Sequence, residues 1–159
     1  MGDSMKSVVV FLLVSATLFC SAATADVTCP RTAGSNALGS PFPPSSNWYG
    51  SEAFAVQLPP DGIWPTTAPG ALIAVKLFWW SAGFKPGAES NLSVTLKELS
   101  GAPATAVVSR ATNAYAESLG GWTMLTGIDF PTAGCWEITG RYLGQELKFV
   151  VQTVNTASR

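Results

Sequence analysis

The ionisable side chains of this 159-residue chain leave few routes to catalysis. The chain contains no His, which excludes Ser-His-Asp triads, Cys-His dyads and His-based zinc sites. Glu137 and Glu146 could form an acid/base pair across a hairpin, with Asp129 just before it. Glu137 alternates with apolar neighbours, so we expect it to be a solvated residue on an outer face. A calcium site at Asp61 and Asp129 would need an Asp-rich loop, which the sequence lacks. The sequence therefore predicts no catalytic residue, no metal site and no cofactor.

The cysteines favour a covalent cross-link over thiol chemistry. Of the three, Cys20 lies in an N-terminal export signal, which leaves Cys29 and Cys135. An even number of cysteines in an exported chain favours a disulfide, and two free thiols in a reducing compartment are the alternative. The bond would join positions 106 residues apart, and the chain-entropy model assigns such a loop about 4.7 kcal/mol. Cys135 has the opposite parity to Trp136 and Ile138, which predicts that it lies at the start or on the outer face of a strand.

Six tryptophans are many for a chain of this length. Trp79 and Trp136 share parity with aliphatic neighbours on predicted strands, so we expect both in the core. Five other rings lie in loops, at strand starts or on mixed faces, and if exposed together they would form a stacking platform for sugars or an anchor for a protein partner. Ordinary packing beneath the long loops is the alternative, since Trp is usually largely buried. The candidate binding aromatics are Trp48, Tyr49, Trp64, Trp80 and Trp122.

Residues 1–25 have the pattern of a secretory signal peptide. The apolar run within them, residues 8–19, is too short for a transmembrane helix of roughly 20 residues but suits the apolar region of a signal. Ala23-Thr24-Ala25 fits the cleavage rule, so we predict a mature chain that begins at Asp26. A membrane anchor through an uncleaved N-terminus is the alternative, and bulky Phe19 argues against lipidation of Cys20. The predicted location is secreted or periplasmic, with no stable membrane span after processing.

Seven segments alternate apolar and polar residues, with turn signals between them. Residues 26–50 are rich in Ser, Pro and Gly, a composition that predicts an extended N-terminal arm. We expect residues 51–155 to form one domain. Short strands at this spacing favour an all-β fold, an immunoglobulin-like antiparallel β-sandwich that ends in a hairpin. A small β-barrel is the alternative. The predicted strands are 52–58, 72–81, 91–99, 104–110, 122–130, 136–139 and 146–154.

Four motifs between residues 48 and 140 carry a family resemblance. They are Trp48-Tyr49-Gly50, Leu58-Pro59-Pro60-Asp61-Gly62, Phe78-Trp79-Trp80 and Phe130-Pro131-Thr132-Ala133-Gly134-Cys135-Trp136-Glu137-Ile138-Thr139-Gly140. Together they resemble a group of small exported bacterial proteins of unassigned function, and the likeness covers most of residues 48–152. The resemblance implies a bacterial envelope location and a sandwich fold, and it supplies no active site. Many members of that group carry a lipoprotein Cys, which this chain lacks.

The charge distribution bears on the class of partner. The net charge is −1, only 12% of residues are charged, and the Lys and Arg residues are scattered singly from Arg31 to Arg159. Nucleic-acid binding usually needs a clustered basic face, so we expect no nucleic-acid partner. The favoured function is a non-catalytic envelope module that binds an unknown envelope protein or a glycan. A structural or accessory domain is the alternative, and an enzyme is the least favoured class.

Overall fold

The computed structural model describes residues 28–36, 38, 42, 47–66, 73–87, 89–101, 103–119 and 121–155. The predicted signal peptide and its cleavage site lie outside these ranges. The described residues form ten strands and one short 3-10 helix, Glu117–Leu119. The strands are β1 (Trp48–Gly50), β2 (Phe54–Gln57), β3 (Ile63–Thr66), β4 (Ile73–Ser81), β5 (Ser93–Glu98), β6 (Val107–Val108), β7 (Thr112–Ala116), β8 (Gly121–Phe130), β9 (Gly134–Tyr142) and β10 (Gln145–Asn155).

The strands form two sheets that pack face to face. The first sheet has the order β1-β2-β4-β8, and both β6 and β7 pair with β8. The second sheet has the order β3-β10-β9-β5. All pairings are antiparallel except that of β3 with β10. The predicted all-β sandwich is confirmed, and its strand order is that of an immunoglobulin-like domain with the first strands divided between the two sheets. The sheets do not close into the alternative barrel.

The core lies between the sheets, where the alternating faces of β4, β8 and β9 meet. Trp79 and Trp136 are both fully buried there, as predicted. The Trp79 indole N–H donates a hydrogen bond to Oγ1 of Thr126 over 2.9 Å. This bond gives the polar residue in the apolar face of β8 a role, since it satisfies the buried indole N–H of Trp79. Trp136 packs against Phe130 with the ring centroids 5.2 Å apart.

Gly140 in β9 lies directly against the ring of Trp79. A β-carbon at position 140 would lie 2.3 Å from Cζ3 of Trp79, and that ring is held in place by Thr126 and by stacking on Phe54. Gly140→Ala is therefore expected to overpack the core and to lower the free energy of unfolding by about 1–3 kcal/mol. Gly101→Ala is the control, because a β-carbon there meets nothing closer than 3.5 Å. Denaturant unfolding measures both variants, and equal stabilities would contradict this packing.

Three of the strands, β1, β3 and β7, were not predicted. The sandwich begins at Trp48, inside the segment predicted as the arm. β3 contains Pro65, which an edge strand tolerates because it has a partner on one side only. β7 lies between the predicted strands 104–110 and 122–130, in a stretch for which no strand was predicted. It shows no apolar alternation, and it contributes no side chain to the main core cluster and only Ala116 to the margin of the cluster that contains Trp48.

The predicted disulfide joins the N-terminal arm to β9. Cys29 and Cys135 lie at bonding distance, with 2.06 Å between the sulfurs and 5.5 Å between the Cα atoms. Cys135 is the second residue of β9 and has the parity of Glu137, opposite to the buried Trp136. It therefore lies at the start and on the outer face of its strand, as expected, and is nevertheless only 2% exposed.

From the disulfide the arm passes along one side of the sandwich and contacts an edge of each sheet. The Thr32 amide donates to the carbonyl of Val150 in β10 over 2.7 Å, and the Val150 amide donates to Oγ1 of Thr32 over 3.0 Å. Further along, Ser35 and Trp48 exchange two backbone hydrogen bonds at β1. The arm thus satisfies backbone groups that edge strands would otherwise leave open to other chains.

Candidate functional site

Two of the five candidate aromatics, Trp48 and Trp80, belong to a second apolar cluster on the outer face of the first sheet. Trp48 is 1% exposed and Trp80 is half-buried. Phe42 of the arm packs on both rings, with centroid distances of 4.9 Å in each case, and Leu119 closes the cluster from the 3-10 helix. The arm therefore leaves Trp48 almost no exposed surface and covers Trp80 in part, while ligand binding at either ring stays a prediction. The arm covers them, although its Ser- and Pro-rich sequence gave no sign of packing.

Tyr49 and Trp64 are also engaged with the core. Tyr49 meets Phe149 at a ring-centroid distance of 6.3 Å, and Trp64 meets Phe130 at 5.9 Å. Both candidates are half-buried and pack against the main core cluster. Neither belongs to a shared exposed platform, so the structure does not bring the five predicted rings together.

Trp122 is the candidate that the structure leaves exposed, and it has a partner that the sequence reasoning missed. Trp122 is 46% exposed and Tyr115 is 62% exposed. The two residues are directly opposite each other in the β7–β8 pairing, and their rings meet edge to face with centroids 5.4 Å apart and an interplanar angle of 66°. A predicted hairpin would have identified Tyr115 from the sequence. A turn between residues 116 and 121 places Tyr115 and Trp122 on neighbouring strands, where their rings can meet.

A third exposed apolar side chain lies at the same end of the sandwich. Leu143 is 65% exposed and lies at the tip of the β9–β10 hairpin. It lies against Gly83, two residues after the end of β4, because a β-carbon added to Gly83 would be only 2.7 Å from Cδ1 of Leu143. β8 begins at this end, because Trp79 near the end of β4 is paired with Met124 near the start of β8. We call the surface of Tyr115, Trp122 and Leu143 the aromatic end.

Three of the carboxylates considered for chemistry, Glu137, Glu146 and Asp61, are engaged elsewhere. Oε2 of Glu146 accepts a hydrogen bond from Arg141 over 2.7 Å, and Oε1 of Glu137 lies 3.5 Å from Nζ of Lys148. Glu137 and Glu146 are therefore each paired with a base rather than with each other. Asp61 accepts the amide of Ile63 in a tight turn over 3.0 Å.

The carboxyl of Glu98 has a shifted pKa. Burial opposes its ionisation, but hydrogen bonds from the Ser100 hydroxyl and from the amides of Ser100 and Gly101 favour the charged form more strongly, so the pKa of Glu98 lies below its usual value. The Ser100 hydroxyl oxygen in turn accepts the amide of Cys135 over 2.9 Å. This carboxylate fixes a turn beside the disulfide, which is a structural role.

Two shallow clefts lie at the sides of the sandwich. One, of about 350 Å³, is lined by residues 87, 89, 90 and 110–113, and the Glu89–Arg110 ion pair of 2.8 Å lies beside it. The other, of about 320 Å³, lies between β1 and β10 and is lined by residues 49–51, 54 and 145–147. Neither cleft contains a carboxyl pair or a thiol.

The part of the chain that the structure describes contains neither a cluster of metal ligands nor a membrane-spanning helix. No three Cys, Asp or Glu side chains in it cluster as metal ligands would. No helix in the same residues has the length and apolar character to cross a bilayer.

The chain was compared with known protein families, curated proteins and solved structures. It matches no protein family, no curated protein and no solved structure.

Proposed function

We propose that this chain is an exported, non-catalytic envelope module that binds a protein partner through its aromatic end. The observation that carries the proposal is the exposed edge-to-face pair of Tyr115 and Trp122. Buried tryptophans stabilise this domain, whereas Trp122 leaves nearly half of its ring surface in water, where it makes no comparable contribution to stability. Tyr and Trp are the residues most enriched in the energetic centres of protein interfaces.

The geometry of the ring pair favours a protein over a glycan. A sugar stacks on a flat aromatic face, and several sugars need a row of coplanar rings. The 66° angle between Tyr115 and Trp122 gives no such row. Rings at this angle, with Leu143 at the same end of the domain, form an uneven apolar surface of the kind that a protein side chain can fit against. A bacterial envelope location, which the signal pattern and the motif resemblance support, would place potential partners within reach.

We expect Trp122→Ala to weaken partner binding without unfolding the domain. The exposed ring contributes about 1 kcal/mol or less to stability, but a ring at the centre of an interface typically contributes 2 kcal/mol or more to binding, about a 30-fold change in affinity. The measurement compares proteins captured from envelope extract by immobilised wild type, Tyr115→Ala and Trp122→Ala. Val107→Ala is the matched control, because Val107 is 64% exposed but lies beside Asp129, at the other end of β8.

We expect wild type and Val107→Ala to capture the same protein in equal amounts. We expect Tyr115→Ala and Trp122→Ala to capture little or none of it. Capture that survives both ring substitutions would contradict the proposal. Elution of the captured protein by soluble peptidoglycan fragments would favour the glycan alternative, and no specific capture by wild type would favour a structural domain.

A further inference from the structure

One stretch of β10 has an edge that no other strand of the described residues covers. β9 pairs with β10 along residues 145–153. On its other side, β10 is covered by the arm at Val150 and by Gly62 and β3 from Gln152 onward. Residues 145–149 lie beyond this cover, between the arm and the hairpin tip, and Glu146 and Lys148 are exposed.

The backbone groups of this stretch point outward at alternate residues. Val150 and Gln152 direct their amides away from β9, toward Thr32 and Gly62. Because backbone groups alternate sides along a strand, the amides and carbonyls of Glu146 and Lys148 also point outward. No backbone partner for either residue is found among the described residues.

We propose that a second copy of this chain covers the open edge, by antiparallel pairing of β10 with β10 about a two-fold axis at Leu147. In this register Glu146 lies opposite Lys148 of the second copy, and Lys148 lies opposite its Glu146. Each of these two pairs has both backbone groups free, so the interface forms four backbone hydrogen bonds. The second sheets of the two copies join into one continuous sheet, which is an isologous arrangement.

Charge complementarity supports a second copy as the occupant. Glu146 and Lys148 have the same parity, so the two-fold axis places opposite charges directly across the new strand pair on one face. Within each copy, the ion pairs with Arg141 and Glu137 hold both side chains back over the outer face of their own sheet. An edge lysine usually prevents strand pairing, but here the acid two residues earlier neutralises it when the strand meets its own copy.

The apolar face of the same stretch is also complementary to itself. Leu147 is half-buried and packs against the core on the inner side of β10, beside Gly50 of β1 and the cleft of about 320 Å³. Residues that face each other across the axis form a close pair without hydrogen bonds, so the two Leu147 side chains would meet over this cleft.

The free edge of β5, at the other side of the second sheet, lacks this complementarity. The exposed side chains on its outer face are Ser93, Thr95 and Lys97, so no acid accompanies the lysine there. The backbone groups of these three residues point toward β9 and not toward the free edge. Glu98 is held in its turn by Ser100. Tyr115 and Trp122 lie at the edge of the first sheet remote from β1, so dimerisation through β10 leaves the ring pair accessible.

The test reverses one charge at a time. Glu146→Lys places two lysines opposite each other at both pairs, and Lys148→Glu places two glutamates there, so each variant alone is expected to associate at least about tenfold more weakly than wild type. An equimolar mixture of the two variants restores opposite charges at both pairs and is expected to form a heterodimer. Lys97→Glu is the control, because it makes the same charge change on the β5 edge.

Sedimentation equilibrium of the purified chain from micromolar to millimolar concentration measures each state, and thermal unfolding confirms that each variant folds. The expected pattern is a dimer for wild type and Lys97→Glu, monomers for the two single variants, and a dimer for their mixture. A monomeric wild type at all concentrations would overturn the proposal. A wild-type dimer that persists in both single variants, or a mixture that stays monomeric, would overturn it as well.

Discussion

Trp48→Ala is expected to destabilise the domain about as much as Trp136→Ala, with each substitution lowering the free energy of unfolding by about 3–5 kcal/mol. Trp136 is fully buried between the sheets, and Trp48 is 1% exposed beneath the arm. Removal of either ring leaves a cavity that rigid neighbours cannot fill. A loss of this size approaches the whole stability of a typical domain, so either variant is expected to be partly unfolded at 37 °C.

The two variants differ in which part of the molecule they loosen. Trp48 contacts Phe42, and its backbone pairs with Ser35, so its removal should release the arm as well as β1. Limited proteolysis should therefore cut Trp48→Ala first within the arm, whereas Trp136→Ala should become susceptible throughout. Denaturant unfolding measures the energies, with Trp122→Ala as the exposed control that is expected to lose about 1 kcal/mol or less. A Trp48→Ala variant as stable as Trp122→Ala would show that the arm does not cover this face.

Loss of the disulfide is the second large effect. Replacement of Cys29 and Cys135 by Ser together is expected to lower the free energy of unfolding by about 2–5 kcal/mol, because the bond closes a long loop in the unfolded chain. It also fixes the start of the arm over β9. The β-rich far-UV spectrum should remain, since the backbone pairing of both sheets does not depend on the sulfurs.

The measurement is the denaturation midpoint of the double variant, of the wild type and of the wild type kept in reductant. The last two samples share one sequence, so their difference isolates the bond from the Cys→Ser changes. Equal midpoints in oxidised and reduced wild type would contradict a stabilising role. Peptide mapping without reductant checks the pairing, and free thiols in protein purified without reductant would contradict the bond itself.

The sequence predicted the parts of the fold that depend on local alternation. β4 carries an apolar residue at every second position from Ile73 to Trp79, and both Trp79 and Trp136 were correctly expected in the core. Cys29 and Cys135 could be paired by count alone, because the third cysteine, Cys20, lies in the predicted signal peptide. These features depend on strand period and on composition, both of which a single sequence contains.

The outer face of the first sheet could not be predicted in the same way. Trp80 and Lys76 lie on the same face of β4, and a face that mixes apolar and charged residues is typical of solvent exposure. Trp80 is nevertheless partly covered, because Phe42 packs on it from a distant segment. An isolated Phe in a Ser- and Pro-rich arm has no period and so no predicted partner. Tyr115 was missed for a related reason: its contact with Trp122 depends on the register of a hairpin whose first strand has no apolar alternation.

The most direct test of the central claim is site-specific photo-crosslinking from position 115 in the native envelope. A photoreactive phenylalanine analogue replaces Tyr115 in one variant and Val107 in another, and the adducts are compared after irradiation of intact cells. We predict that position 115 cross-links to one discrete protein and position 107 does not. No adduct from position 115, or the same adducts from both positions, would contradict a recognition role for the aromatic end.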